Sequence, residues 1–242
     1  MVFKRLFYII GKIPLPNFLK KLRGYLYLYF FYGDWVGYES LIKVCIKERT
    51  MELPGDIIEI GSFVGGGTRK LAKYALQFKK KVYAIDIFKP SADLTACEKG
   101  IRMADLYANY LQKLGLTMFE AYWFNVSKYP NAITIPKDSR AIKFPTSQVF
   151  CFGFIDGNHS PEYVVNDFYL VWNHLVPGDI VAFHDYGYDL PKVYDLPKVT
   201  ETIDKLILKH RKDIEKVIIN PVVHAIFIKK RGCKTSQQCA DS

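Results

Sequence analysis

The apolar positions of this chain fall into short β-branched runs separated by segments of helical period. Asp56-Ile-Ile-Glu-Ile, Lys81-Val-Tyr-Ala-Ile-Asp86, Ala132-Ile-Thr-Ile, Phe150-Cys-Phe-Gly-Phe-Ile-Asp156 and Ile180-Val-Ala-Phe-His184-Asp185 are nearly continuous apolar runs. Such runs are strands covered on both faces, as in a parallel sheet. Strands are predicted near 56–61, 81–87, 132–137, 150–156, 179–184, 214–219 and 222–230. Apolar residues at helical spacing predict helices near 66–78, 101–126 with a break at Gly115, 161–175 and 198–211, and another from Trp35 to Lys47 ahead of the first strand. Pro177-Gly-Asp reads as the stop of the helix that carries Trp172 and His174, and His224 falls in the last strand; all three side chains read as structural. The alternation predicts an α/β protein with a Rossmann-like, doubly wound, seven-stranded and mostly parallel sheet.

The first strand runs into Gly61-Ser-Phe-Val-Gly-Gly-Gly67 and then a helix. Glycines there let the backbone turn sharply and approach a ligand. A strand-to-helix turn of this kind is where doubly wound proteins bind nucleotides, and an acid closing the second strand, here Asp86, holds the hydroxyls of a ribose. The alternative is a turn that is only structural. Phe63 stands where a dinucleotide site needs its second glycine, and no Gly-Lys-Ser/Thr follows for a P-loop. A nucleoside ligand without phosphate, such as S-adenosylmethionine, suits the turn better.

Polar residues that close parallel strands converge just outside the carboxyl edge of the sheet. Glu59, Asp86, Asp156, His184 and Asp185 should share that rim, with His159 three residues after Asp156. So many ionisable groups at one edge repel one another unless a ligand or cation joins them.

Glu59-Ile-Gly-Ser-x-x-Gly65, Ala84-Ile-Asp86, Phe154-Ile-Asp-Gly-Asn-His-Ser-Pro-Glu162 and Pro177-Gly-Asp-Ile-Val-Ala-Phe-His-Asp-Tyr186 together resemble the class I S-adenosylmethionine-dependent methyltransferases. The likeness points to the branch containing macrocin O-methyltransferase and the cephalosporin hydroxylase-like proteins, and it spans roughly residues 52–231. It implies the class I methyltransferase fold. It also implies that Glu59, Gly61, Ser62 and Gly65 meet the methionine end of the cofactor, that Asp86 clamps the ribose and that Asp138 and Ser139 meet the adenine. Asp156 and Asp185 resemble the carboxylates that hold a divalent metal, and Asp156 is also expected to border the cofactor. His184 stands where metal-dependent relatives often have another acid, and Pro161 replaces a more common tyrosine.

Methyl transfer to a hydroxyl needs in-line positioning and removal of a proton. A metal on Asp156, His184 and Asp185 could lower the pKa of that hydroxyl; Mg²⁺ suits carboxylates, and a histidine ligand shifts the preference toward Mn²⁺ and its neighbours. The metal-free alternative makes His159 or His184 the general base. The expected acceptor is a sugar or other polyhydroxylated small molecule, by analogy with the branch. The rivals are an NAD-dependent oxidoreductase, a relative that keeps the fold without methylating, and a membrane-recruited scaffold.

Composition then bounds the setting. The 242 residues fit one catalytic domain over 51–231, a basic, aromatic helical extension over 1–50 and a polar tail over 232–242. Five cysteines without paired spacing suggest no disulfide framework or zinc site, which fits a cytoplasmic location. Net charge is +10, and residues 1–33 carry Lys4, Arg5, Lys12, Lys20, Lys21 and Arg23 with no acid, interleaved with aromatics. That segment is read as a lid or homo-oligomer interface, or as a peripheral contact with the inner face of a membrane. No nucleic-acid signature accompanies the basic charge. Asp93 to Glu98 is expected to be a mobile loop beside the ribose, Tyr186 and Tyr188 to border the acceptor, and Pro191 to Pro197 to gate it.

Overall fold

The computed structural model of the chain describes residues 15–96, 100–188, 196 and 198–232. The elements run α1 (Asn17–Phe31), α2 (Tyr38–Glu48), β1 (Asp56–Ile60), α3 (Gly66–Leu76), β2 (Val82–Ile85), α4 (Met103–Leu114), α5 (Met118–Val126), β3 (Ala132–Ile135), β4 (Phe150–Ile155), α6 (Pro161–Trp172), β5 (Leu175–Phe183), α7 (Val199–Lys209), β6 (Ile214–Asn220) and β7 (Ala225–Lys230). One sheet holds the strands in the order β3-β2-β1-β4-β5-β7-β6. The first five in that order are parallel, and β7 runs antiparallel to both β5 and β6. The predicted Rossmann-like α/β fold is therefore present, with the strand order reversing between β1 and β4.

Alternation along β1 sorts the two faces. Ile58 and Ile60 pack with Phe168, Val171 and Ile203 of α6 and α7. Ile57 packs on the opposite face with Leu41 and Cys45 of α2 and Leu71 of α3. Because Leu41 and Cys45 are fully buried there, residue 50 marks no break in packing. A third cluster joins Leu28 of α1 to Leu111, Leu114 and Ala121 of α4 and α5. The break expected at Gly115 separates those two helices: Gly115 ends α4 at φ +67°, and Thr117 and Glu120 cap α5 reciprocally.

Three local expectations need correction. Helix α6 ends at Trp172, and Pro177-Gly-Asp lies inside β5, where the β4–β5 register shifts. A bulge accommodates the proline and Gly178, which has φ +93°, so residues that resemble a helix stop interrupt a ladder instead. His174 accordingly sits in the α6–β5 turn, bonded to the Gln148 carbonyl. His224 precedes β7 in a turn at φ +44°, with its ring stacked on Tyr188 at 3.6 Å. The tail from 233 and most of the 191–197 loop lie outside the described residues.

Gly67 in α3 lies beneath the Tyr38 ring, where an added Cβ would overlap the ring carbons. We expect Gly67→Ala to cost about 2 kcal/mol or more, read as a lower urea midpoint at unchanged m-value. An unchanged midpoint would mean that α2 does not sit on α3 in this way.

Candidate active site

The carboxyl edge of β2, β1, β4 and β5 opens into one cavity of about 560 Å³, a size that suits a cofactor or small ligand. Gly61, at φ +90°, makes this edge possible: a Cβ there would run into the Asp156 carbonyl. Its N–H donates to the Ile85 carbonyl, and the Asp156 N–H donates to Ile60, each at 2.8–2.9 Å. The ends of three adjacent strands are thus drawn together. Gly61, Ser62, Asp86, Asp138, Ser139, Asp156, His159, His184 and Asp185 all border the cavity.

Glu59 and Gly65, expected to touch the cofactor, do not line it. Glu59 shares the face of Ile57 and is fully buried. Its carboxylate accepts from Tyr38 Oη at 2.8 Å and Ser62 Oγ at 2.9 Å, and Thr68 Oγ1 is its third partner. Burial pushes its pKa up to about 7 despite these donors. Glu59 therefore shapes the glycine turn from below, and Gly65, at φ +77°, is the N-cap that precedes α3.

Asp86 receives the Phe63 N–H on Oδ2 at 2.8 Å and the Phe88 N–H on Oδ1 at 2.6 Å. Burial raises its pKa to about 6. Each oxygen keeps a second lone pair for a ligand hydroxyl. The Phe63 amide, spent on Asp86, is withdrawn from any phosphate, and its ring joins Trp35 at 4.8 Å and Tyr107 at 5.1 Å in an aromatic wall.

At the far side, Asp138 is held by Arg140 at 2.9 Å and by the Tyr163 hydroxyl at 2.7 Å, and the Arg140 bond holds its pKa near 2. Ser139 is buried beside it.

Beyond β4 and β5 lies a cluster of acids and imidazoles. His184 Nδ1 is 3.1 Å from Asp156 Oδ1 and 3.1 Å from Asp185 Oδ1. His159 bridges Asp93 Oδ2 at 3.1 Å and Asp185 Oδ2 at 2.7 Å. Burial alone would lower both histidine pKa values, but the flanking carboxylates raise His159 to about 10 and His184 well above its usual value. Burial would raise Asp185, yet His184 and His159 hold it far below the carboxylate range; Asp156 is raised by burial. Both nitrogens of His159 are engaged by carboxylates, which leaves neither free in this arrangement for the base role that the metal-free alternative gave to His159 or His184. One ligand atom from each of Asp156, His184 and Asp185 falls within 4.8 Å of the others. Two carboxylates and an imidazole at that spacing fit a divalent cation, with the metal replacing the His184 proton.

Three contributors were not legible as site residues. Asp93 belongs to the loop expected to be mobile, yet it is buried against His159. Asp34 follows α1 and borders the cavity while accepting the N–H groups of Val36, Gly37 and Tyr38 and pairing with Lys70 at 2.6 Å. Asp167 on α6 is 1% exposed and borders the cavity, with Oδ2 unpartnered. An acid amid an amphipathic helix was the available signal for Asp167; nothing local marked the other two.

Glu59 gives a pH test. Its folded pKa of about 7 exceeds the model-peptide value of 4.5. The folded state keeps a proton in that window that the unfolded state releases, so this contribution to stability is complete below pH 4.5 and lost as pH rises through 7. Wild-type stability relative to Glu59→Gln should fall across the window by on the order of 3 kcal/mol at most, measured by urea unfolding. A difference that is flat with pH would contradict the buried carboxyl.

The sequence matches a family described as Methyltransferase domain over residues 58–186, more than half of the chain. No curated protein matches it. Among solved structures it is similar to the O-methyltransferase NovP, at 18% identity and a TM-score of 0.57 over 79% of this chain and 78% of that one. It is also similar to CalS11, a TDP-rhamnose 3'-O-methyltransferase of calicheamicin biosynthesis, at 15% identity and a TM-score of 0.53 over 93% and 91%. The S-adenosylhomocysteine-bound methyltransferase PaMTH1 of Podospora anserina is 12% identical, with a TM-score of 0.52 over 90% and 89%. At such identities the likeness to these structures is one of fold. With the domain matched along the chain and the fold shared, the protein belongs to the class I S-adenosylmethionine-dependent methyltransferases.

Proposed function

We propose that the protein methylates a hydroxyl oxygen of a sugar or similar polyhydroxylated small molecule, assisted by a divalent metal. The observation that carries this reading is the Asp156–His184–Asp185 cluster facing the same cavity as Asp86 and the glycine turn. NovP and CalS11, as fold relatives named for O-methylation and CalS11 for a sugar acceptor, support it.

S-adenosylmethionine, when bound, supplies an electrophilic methyl group, and the metal would lower the pKa of a hydroxyl beside it. The chain's own residues do the positioning. Asp86 accepts from the two ribose hydroxyls. Asp167, near the Asp138–Ser139 end, offers its unpartnered Oδ2 to the adenine amino group. Asp93 and Asp185 fix His159, and that cation keeps Asp185 ionised. A hydroxyl acidified beside a metal on Asp156, His184 and Asp185 would release its proton to solvent at the cavity mouth. Trp35, Phe63 and Tyr107 give the acceptor side an apolar wall against which a ring can lie.

The direct test is incubation with methyl-labelled cofactor and a panel of nucleotide sugars and glycosides, with Mn²⁺, Mg²⁺ or EDTA. Transfer of label to a hydroxyl that EDTA abolishes and Mn²⁺ restores supports the proposal; methylation only of nitrogen acceptors rejects it. Asp86→Ala should weaken S-adenosylhomocysteine binding by roughly 10- to 100-fold in calorimetry, from the lost charged hydrogen bonds. Asp185→Ala should leave that affinity within about 3-fold while lowering kcat by about 100-fold or more. Full turnover in Asp185→Ala would make the rim acids structural.

A further inference from the structure

Helix α1 turns an apolar stripe to solvent. Phe18, Leu22, Leu26, Tyr29 and Phe30 recur at helical spacing, and each is between 53% and 69% exposed. The opposite face is spoken for. Leu28 is fully buried, and Gly24 lies so close to the Leu114 carbonyl that a Cβ would overlap it. Tyr25 packs on Phe124 at 5.0 Å and Lys21 pairs with Glu120 at 2.6 Å. The stripe is therefore surplus to folding: α1 is already anchored to α4 and α5 through its other side. Soluble surfaces seldom carry so continuous an apolar patch without a partner.

Charge selects the partner. Residues 1–33 hold six cations, Lys4, Arg5, Lys12, Lys20, Lys21 and Arg23, and no acid. Within α1, Lys21 is held by Glu120 and Arg23 by the Lys113 carbonyl, so the charge offered to a partner comes chiefly from the residues before the helix. A second copy docked through the same face would bring two such cationic segments together, which a self-complementary interface disfavours. An anionic bilayer surface supplies the opposite charge along with an apolar layer for the side chains. Aromatic residues are well suited to the level of the headgroups. No helix among the described residues is long and apolar enough to cross a membrane, so the contact would lie in the surface plane.

We propose that α1, with the basic segment before it, docks the enzyme on an anionic lipid surface. The helix lies in the interface with Phe18, Leu22, Leu26 and Phe30 inserted. Gly33 and Asp34, directly after α1, border the active-site cavity, which ties the docking helix to the cavity wall. This proposal does not rest on the identity of the methyl acceptor.

The test is co-sedimentation of the full chain with phosphatidylcholine vesicles and with vesicles in which phosphatidylglycerol makes up roughly one lipid in four. We expect binding to the anionic vesicles to be about 10-fold or more stronger than to the neutral ones, and to weaken as salt rises from about 0.1 to about 0.5 M. The triple variant Phe18→Ser, Leu22→Ser, Leu26→Ser should lose at least about 10-fold in partitioning while keeping its melting temperature and S-adenosylhomocysteine affinity. Lys4→Glu, Arg5→Glu, Lys12→Glu, combined in a second variant, should lose the preference for anionic lipid. Equal binding to both vesicles, or none, overturns the proposal. So does a triple variant that binds vesicles as wild type but turns a dimer into a monomer in analytical ultracentrifugation, which would give the stripe to a second copy.

Discussion

Burial of carboxylates at one sheet edge is the constraint from which the rest of this structure follows. Glu59, Asp86, Asp93, Asp156 and Asp185 lie within or beside one cavity, and among the described residues none is paired with lysine or arginine. A buried carboxylate left alone is costly, so each must be met by a donor. Three hydroxyls meet Glu59, two backbone N–H groups meet Asp86, and two imidazoles meet the other three. The choice of donors divides the cavity by chemistry. Hydroxyl and amide donors leave the glycine turn and Asp86 available to a neutral ribose. The His184 imidazole after β5 can exchange a proton for a cation, while His159 stays engaged by Asp93 and Asp185.

The strands carrying this edge were legible because parallel strands buried on both faces leave little room for polar residues except at their ends. Asp86, Asp156 and Asp185 each closed an apolar run, and the topology had to bring them together. Glu59 was legible as unusual but misread in direction. Its place in β1 puts it on the face of Ile57, toward Tyr38 and Thr68, and only the alternation observed along the strand shows this. Asp93 and Asp34 were hidden because loops have no period. Their roles depend on which segments pack over the edge, a tertiary fact. The Pro177-Gly-Asp segment misled for a physical reason as well: proline and glycine end helices, but they also occupy bulges, and local sequence does not distinguish the two.

The N-terminal helix adds a second constraint. It is anchored by Gly24 and Leu28 on one side, and the chain then passes through Gly33 and Asp34 directly over the start of α3. Gly66 has no room for a Cβ because the Tyr32 carbonyl and the Asp34 amide lie against it. The segment before the first strand is therefore part of the cavity wall, which explains why the expected boundary at residue 50 does not appear as a gap in packing. Whatever holds α1 from outside is coupled to the cavity through this short connection.

The measurement closest to the central claim is calorimetric titration of the full chain with S-adenosylhomocysteine and with NAD in parallel, each with and without Mn²⁺. The account predicts S-adenosylhomocysteine binding with a dissociation constant on the order of 10 µM or tighter, and no heat from NAD. It also predicts a separate Mn²⁺ site whose heat disappears when Asp185 is replaced. Binding of NAD, or of neither nucleoside, would contradict a rim of buried acids arranged around a ribose without phosphate.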